Sequence, residues 1–159
     1  MAVWAAVLER LESMAEIERS ALVMFSAEQM FDLVNDVESY PQFLPGCKSA
    51  EILHSDENTL EARLELSRAG IHQSFVTRNQ LERPTRMTLE LVDGPFEHFE
   101  GLWHFSPLAH DACKVSFALS FRLRNRLVAA AVGKLFSELA NQMVRVMCER
   151  AEHVYGKPQ

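Results

Sequence analysis

Between residues 47 and 122 the apolar side chains return at every second position, and after Asn125 the repeat lengthens to that of an α-helix with no proline before Pro158. This change of period constrains the fold more than any other feature. Several short runs of period two build an antiparallel sheet with one buried and one wet face. A helical stripe of about eight turns then has to lie on the buried face.

The clearest strand reads Leu60, Ala62, Leu64 and Leu66 inward, with Glu61, Arg63 and Glu65 outward. Further strands are expected over 73–81, 87–92, 97–105 and 114–122, separated by Ala69-Gly70, Arg83-Pro84, Asp93-Gly94-Pro95 and Ser106-Pro107. Such short connections give a meander. In the last strand Val115, Phe117, Leu119 and Phe121 face inward, opposite Lys114, Ser116, Ser120 and Arg122. Ahead of the meander, 16–23 reads as an opening strand, and Ser26 with Gln29 forms a capping-box pattern that starts a helix over about 27–36. In the long helix Leu127, Ala131, Leu135, Leu139, Met143, Val146 and Val154 are expected on the buried face. The class is α+β, with one domain over 15–156.

Residues 1–14 form an N-terminal extension. Its apolar residues Val3 to Leu8 lack a basic region before them and are cut short by Glu9 and Arg10, which argues against an export signal or membrane span. Met14 is a second possible start, so residues 1–13 need not be part of the native product. A formal charge of −6 argues against broad attraction to nucleic acid or anionic lipid. Cys47, Cys113 and Cys148 are odd in number and lack CxxC or zinc spacing, which fits a reducing cytoplasm rather than a disulfide framework.

The run Tyr40-Pro41-Gln42-Phe43-Leu44-Pro45-Gly46 sets large apolar residues on what its two prolines make a stiffened loop. Tyr40, Phe43 and Leu44 must therefore close a core, roof a cavity or meet a partner. On the helix, Ala129, Ala130, Ala131, Gly133 and Ala140 are small and Met143 and Met147 adaptable, so either a tunnel or simple close approach to the sheet follows, with close approach the more ordinary outcome. Trp103 alternates with Phe99 and Phe105 and is expected inward. His98, Glu100 and His104 share strand parity, yet the two histidines would stand about 20 Å apart, too far to share a metal. No nucleophile elbow, zinc-protease, P-loop or dinucleotide motif occurs. Arg122, Arg124 and Arg126, with Arg63, Arg68 and Arg78, form either a local phosphate-binding surface or a solvated rim balanced by acids.

The stretch 25–47, with Ser26-Ala27-Glu28-Gln29-Met30, Leu33-Val34-Asn35-Asp36-Val37 and the Tyr40 run through Cys47, resembles the ribosome association toxin (RatA) and coenzyme Q-binding family. Ala69-Gly70-Ile71, Thr77-Arg78-Asn79-Gln80-Leu81, Leu91-Val92-Asp93-Gly94-Pro95-Phe96, Trp103 with Phe105 and Pro107, and 117–121 extend the resemblance over about 15–155. It implies a START- or Bet v 1-like helix grip, a curved antiparallel sheet wrapped around a long C-terminal helix. Two functions of different class are implied. One is non-enzymatic binding of ubiquinone or a similar polyprenyl quinone in support of respiration or quinone biosynthesis, on walls including Tyr40, Phe43, Leu44, Pro45, Phe96, Trp103, Leu139, Met143 and Met147. The other is toxin-like attachment to the large ribosomal subunit that blocks subunit association, with Arg78, Arg122, Arg124 and Arg126 as candidate contacts. Neither implies a catalytic residue, a metal, a required cofactor or DNA binding, and membrane contact is at most transient. Cyclase or hydrolase chemistry by analogy with the wider superfamily is the weakest reading, because fold does not fix function.

Overall fold

The computed structural model describes residues 3–5 and 14–157; the rest of the expected N-terminal extension lies outside the described residues. The chain runs β1 (Ala15–Val23), α1 (Ala27–Asn35), a 3₁₀ turn (Val37–Ser39), α2 (Tyr40–Phe43), β2 (Cys47–Ser55), β3 (Thr59–Arg68), β4 (Ile71–Glu82), β5 (Arg86–Asp93), β6 (Phe96–Ala109), β7 (Ala112–Leu123) and α3 (Arg126–Tyr155). All seven strands join one antiparallel sheet in the order β1-β7-β6-β5-β4-β3-β2. The meander therefore runs from one edge inward, and β1 closes the other edge against the last strand.

Local chemistry explains where the elements start and stop. Ser26 Oγ accepts the Gln29 N–H while the Ser26 N–H donates to Gln29 Oε1, so the expected capping box is complete and satisfies two donors at the start of α1. The β3–β4 hairpin turns at Ala69 and Gly70, both with positive φ, 53° and 81°. At its entrance α3 is capped by Asn125, whose Oδ1 accepts the Leu127 N–H.

Three expectations are corrected. The Tyr40 run is a loop only from Leu44 to Gly46: after the 3₁₀ turn, Tyr40–Phe43 forms one turn of helix with Pro41 in its first turn, where the absent N–H would have had no partner. Ser106-Pro107 does not end its strand, and β6 continues to Ala109. The Phe105 N–H donates to Thr85 O, so Pro107, two residues on, turns its donorless nitrogen to the side where β5 has already ended. The buried stripe of α3 is also shifted: Leu127 is 91% exposed, Ala131 and Val154 are exposed, and Val132, Phe136, Val144 and Ala151 are buried beside Leu135, Met143 and Val146. Ala130 is exposed as well.

The core lies between the sheet and α3, which packs mainly over β1 and β7 with α1 beside it. A Cβ added at Gly133 would come within 3.2 Å of Leu123 Cδ1, so this glycine permits close approach of helix and sheet. The expected inward faces of β3 and β7 hold: Leu60, Ala62, Leu66, Val115, Phe117, Leu119 and Phe121 are all buried.

Candidate functional site: an apolar cavity under the long helix

Between α3 and the sheet the packing leaves a cavity of about 80 Å³. Its floor is built from alternate residues of five adjacent strands: Ala62 and Leu64, Phe75, Thr77 and Asn79, Met87 and Leu89, Phe99 and Trp103, and Phe117 and Leu119. Phe136, Leu139, Ala140 and Met143 of α3 roof it, and Val37, Tyr40 and Leu44 close one end. Among the described residues this wall carries no Asp, Glu, Lys, Arg or His. Thr77 and Asn79, both buried, bring polar side chains to the wall from the middle of β4, and the Tyr40 hydroxyl is already bonded elsewhere.

The aromatic residues hold the walls in place. Trp103 lies 4.4 Å from the Phe117 ring and stacks on Phe105 at 6.0 Å, and Phe136 packs edge-on against Phe75 at 5.1 Å and Phe96 at 4.7 Å. The buried Tyr40 hydroxyl donates to the Val34 carbonyl, which ties the end wall to the last turn of α1. Burial, helped by Cys47 and Asp36 nearby, raises the Tyr40 phenol above its ordinary range. From the outside, Arg150 of α3 grips α2: its guanidinium sits 4.8 Å above the Phe43 ring and donates to Gln42 Oε1 at 3.3 Å.

Of the residues expected on the ligand wall, Tyr40, Leu44, Trp103, Leu139 and Met143 line the cavity. Tyr40 and Leu44 are four apart and share a face of the helical turn, which leaves Phe43 on the Arg150 side and Pro45 exposed. Phe96 and Met147 are buried but packed away from it; a register shift between Phe96 and His98 sends the Phe96 ring toward Phe136 and Phe121. Thr77 and Asn79 are not among the site residues expected from the sequence, although the sequence carries their signal. They share parity with Phe75 on an expected strand, and asparagine at an inward strand position breaks both propensity and pattern.

Three of the candidate arginines have partners within the chain. Arg78 pairs with Glu61 at 3.6 Å, Arg122 with Glu97 at 3.1 Å, and Arg124 donates to the Phe96 carbonyl at 3.3 Å; the Arg126 side chain lies outside the described residues. His98 bonds Ser120 and His104 bonds Ser106. Burial pushes the Cys47 and Cys113 thiols up to about 11, which keeps them neutral and poorly nucleophilic near pH 7. Among the described residues no helix is long and apolar enough to cross a membrane.

A seven-stranded antiparallel sheet gripping one long helix over an apolar cavity is the START-like, polyketide cyclase-type fold. Residues 23–148 match the family described as polyketide cyclase / dehydrase and lipid transport, and the chain belongs to it. The ribosome association toxin RatA of Escherichia coli is 49% identical over 143 residues, 90% of each chain, and that of Vibrio cholerae is 46% identical over 91% of this chain and 100% of its own. The mitochondrial coenzyme Q-binding protein COQ10 homolog B of Xenopus laevis is 29% identical over 91% of this chain and 61% of its own. Among solved structures, the Zhui aromatase/cyclase from Streptomyces superposes with a TM-score of 0.75 at 17% identity, over 91% of this chain and 99% of the other, which shows the fold. The relatives at 46–49% identity carry toxin names and some fold neighbours are cyclases.

Proposed function

We propose that this protein binds an apolar small molecule of the polyprenyl quinone type between the sheet and α3, without chemical conversion of it. One observation carries the reading: a cavity lined by five strands, two helices and the 3₁₀ turn, with wall side chains that offer no acid–base pair and no charge. Such a wall stabilises a ligand by removing its apolar surface from water, at about 25 cal/mol per Å². The relative named for coenzyme Q binding supports the choice of ligand class. The cavity of about 80 Å³ is below the roughly 300 Å³ typical of small-molecule sites, so binding a longer molecule requires α2 or α3 to move outward. Organic extraction of protein purified from its own host, followed by mass spectrometry, is the test. A polyprenyl quinone near one per chain is expected; its absence from folded protein at that stoichiometry overturns the quinone assignment.

A second reading, cytoplasmic attachment to the large ribosomal subunit, is favoured by the relatives at 46–49% identity that are named ribosome association toxins. With −6 net charge and Arg78 and Arg122 already paired to carboxylates, such attachment would run through local protein contacts more than through a broad phosphate-binding face. Sedimentation through sucrose discriminates. Co-migration with the large subunit, together with fewer joined subunits when purified protein is added, supports this reading; protein that stays at the top of the gradient removes it.

A further inference from the structure

Asn79 is 5% exposed on the cavity wall, and among the described residues its Oδ1 has no hydrogen-bond partner. Its Nδ2 donates to the Met87 thioether at 3.9 Å, a weak acceptor. A buried amide left in this state is costly, and a packed sheet would be better served by leucine or valine. Thr77, two residues earlier on the same face, adds a hydroxyl to the same wall.

We propose that Asn79 is a specificity-determining residue that receives a hydroxyl group of the bound molecule, so that the ligand is an alcohol or phenol with an apolar body. The inference rests on the cavity reading above and narrows it. A carboxylate or an ammonium is disfavoured, because no charged side chain lines the cavity to pair with it. A carbonyl accepts from Nδ2 but leaves Oδ1 alone. A hydroxyl donates to Oδ1 and accepts from Nδ2, and so satisfies both ends of the amide. For a ligand that exists as quinone and hydroquinone, the hydroquinone is the form that fits.

The test is calorimetric titration of the full chain with para-butylphenol, butylbenzene and para-butylbenzaldehyde, which share an alkyl body and differ in the polar group. The phenol is expected to bind most tightly, and Asn79→Leu is expected to cut the phenol-to-butylbenzene affinity ratio by about tenfold, the worth of one well-made buried hydrogen bond. In the wild-type chain the side-chain NH₂ signals of Asn79 in nitrogen-15 NMR should move with the phenol and not with butylbenzene. A ratio unchanged by Asn79→Leu, the pattern of an amide satisfied by a buried water, overturns the proposal and leaves the cavity reading standing. An aldehyde that binds as tightly as the phenol overturns the hydroxyl assignment. Failure of all three to bind overturns both readings. Should Asn79→Leu not fold, the wild-type NMR shift decides alone.

Discussion

Tyr40 joins three parts of the molecule through one side chain: its ring lines the cavity end, its edge meets Phe43, and its hydroxyl reaches back to the Val34 carbonyl. Replacing it by phenylalanine keeps the ring but strands a buried carbonyl, so Tyr40→Phe should lower stability by about 1–3 kcal/mol, read as a drop in the urea midpoint with an unchanged slope. An unchanged midpoint would mean that the hydroxyl contributes nothing to the end wall. The single-residue signals in the sequence were uneven for physical reasons. Trp103 announced itself by strand parity, which depends only on neighbours in the chain. Phe96 did not, because the register shift beside it redirects the ring, and a bulge is set by how two strands meet. Asn79 was legible as a polar break in an inward face, but its missing partner is a fact of three dimensions.

Among the elements, α1 carries the plainest link from residue pattern to structure, since Ser26 and Gln29 close the capping box that their spacing announces. Ser26→Ala should cost about 1 kcal/mol, measured by thermal or urea unfolding, and a loss below a few tenths would show that neighbouring packing alone fixes the helix start. The strands were legible because each has one wet face, and that alternation is local. The helix stripe was less so. A helix of about 45 Å outruns the core beneath it, so its first and last turns carry apolar residues that periodicity assigns inward and geometry leaves exposed, Leu127 and Val154 among them. For α2, two prolines suggest a loop, yet a proline in the first turn costs a helix nothing.

At the scale of the whole molecule, burial links the thiols and the phenol to pH. The folded-state values of Cys47 and Cys113 lie above the ordinary 9.0, at about 11, so the native chain holds these protons more tightly than the unfolded one. Tyr40 is shifted in the same direction. The contribution of the two thiols is complete below about pH 9 and is lost as pH rises from 9 toward 11, so the melting temperature should hold on the neutral side of that window and fall across it. Cys113→Ala should flatten part of the fall. The cavity itself could not be read from any segment, because its wall is drawn from five strands, two helices and the 3₁₀ turn, and its volume is what their packing leaves over. That assembly also determines how a ligand enters. The end wall is the thinnest element, a four-residue turn held to α3 by Arg150 through Phe43 and Gln42. An exposed contact of this kind is worth about 0.5–1 kcal/mol, small enough for thermal opening and large enough to slow it. Arg150→Ala should therefore cost under about 1 kcal/mol in stability while raising the association rate of an apolar ligand about twofold to fivefold. Stopped-flow quenching of Trp103 in a Trp4→Phe background reads that rate directly, because Trp103 lies on the cavity wall. An unchanged rate in a folded Arg150→Ala protein would move the entrance away from α2.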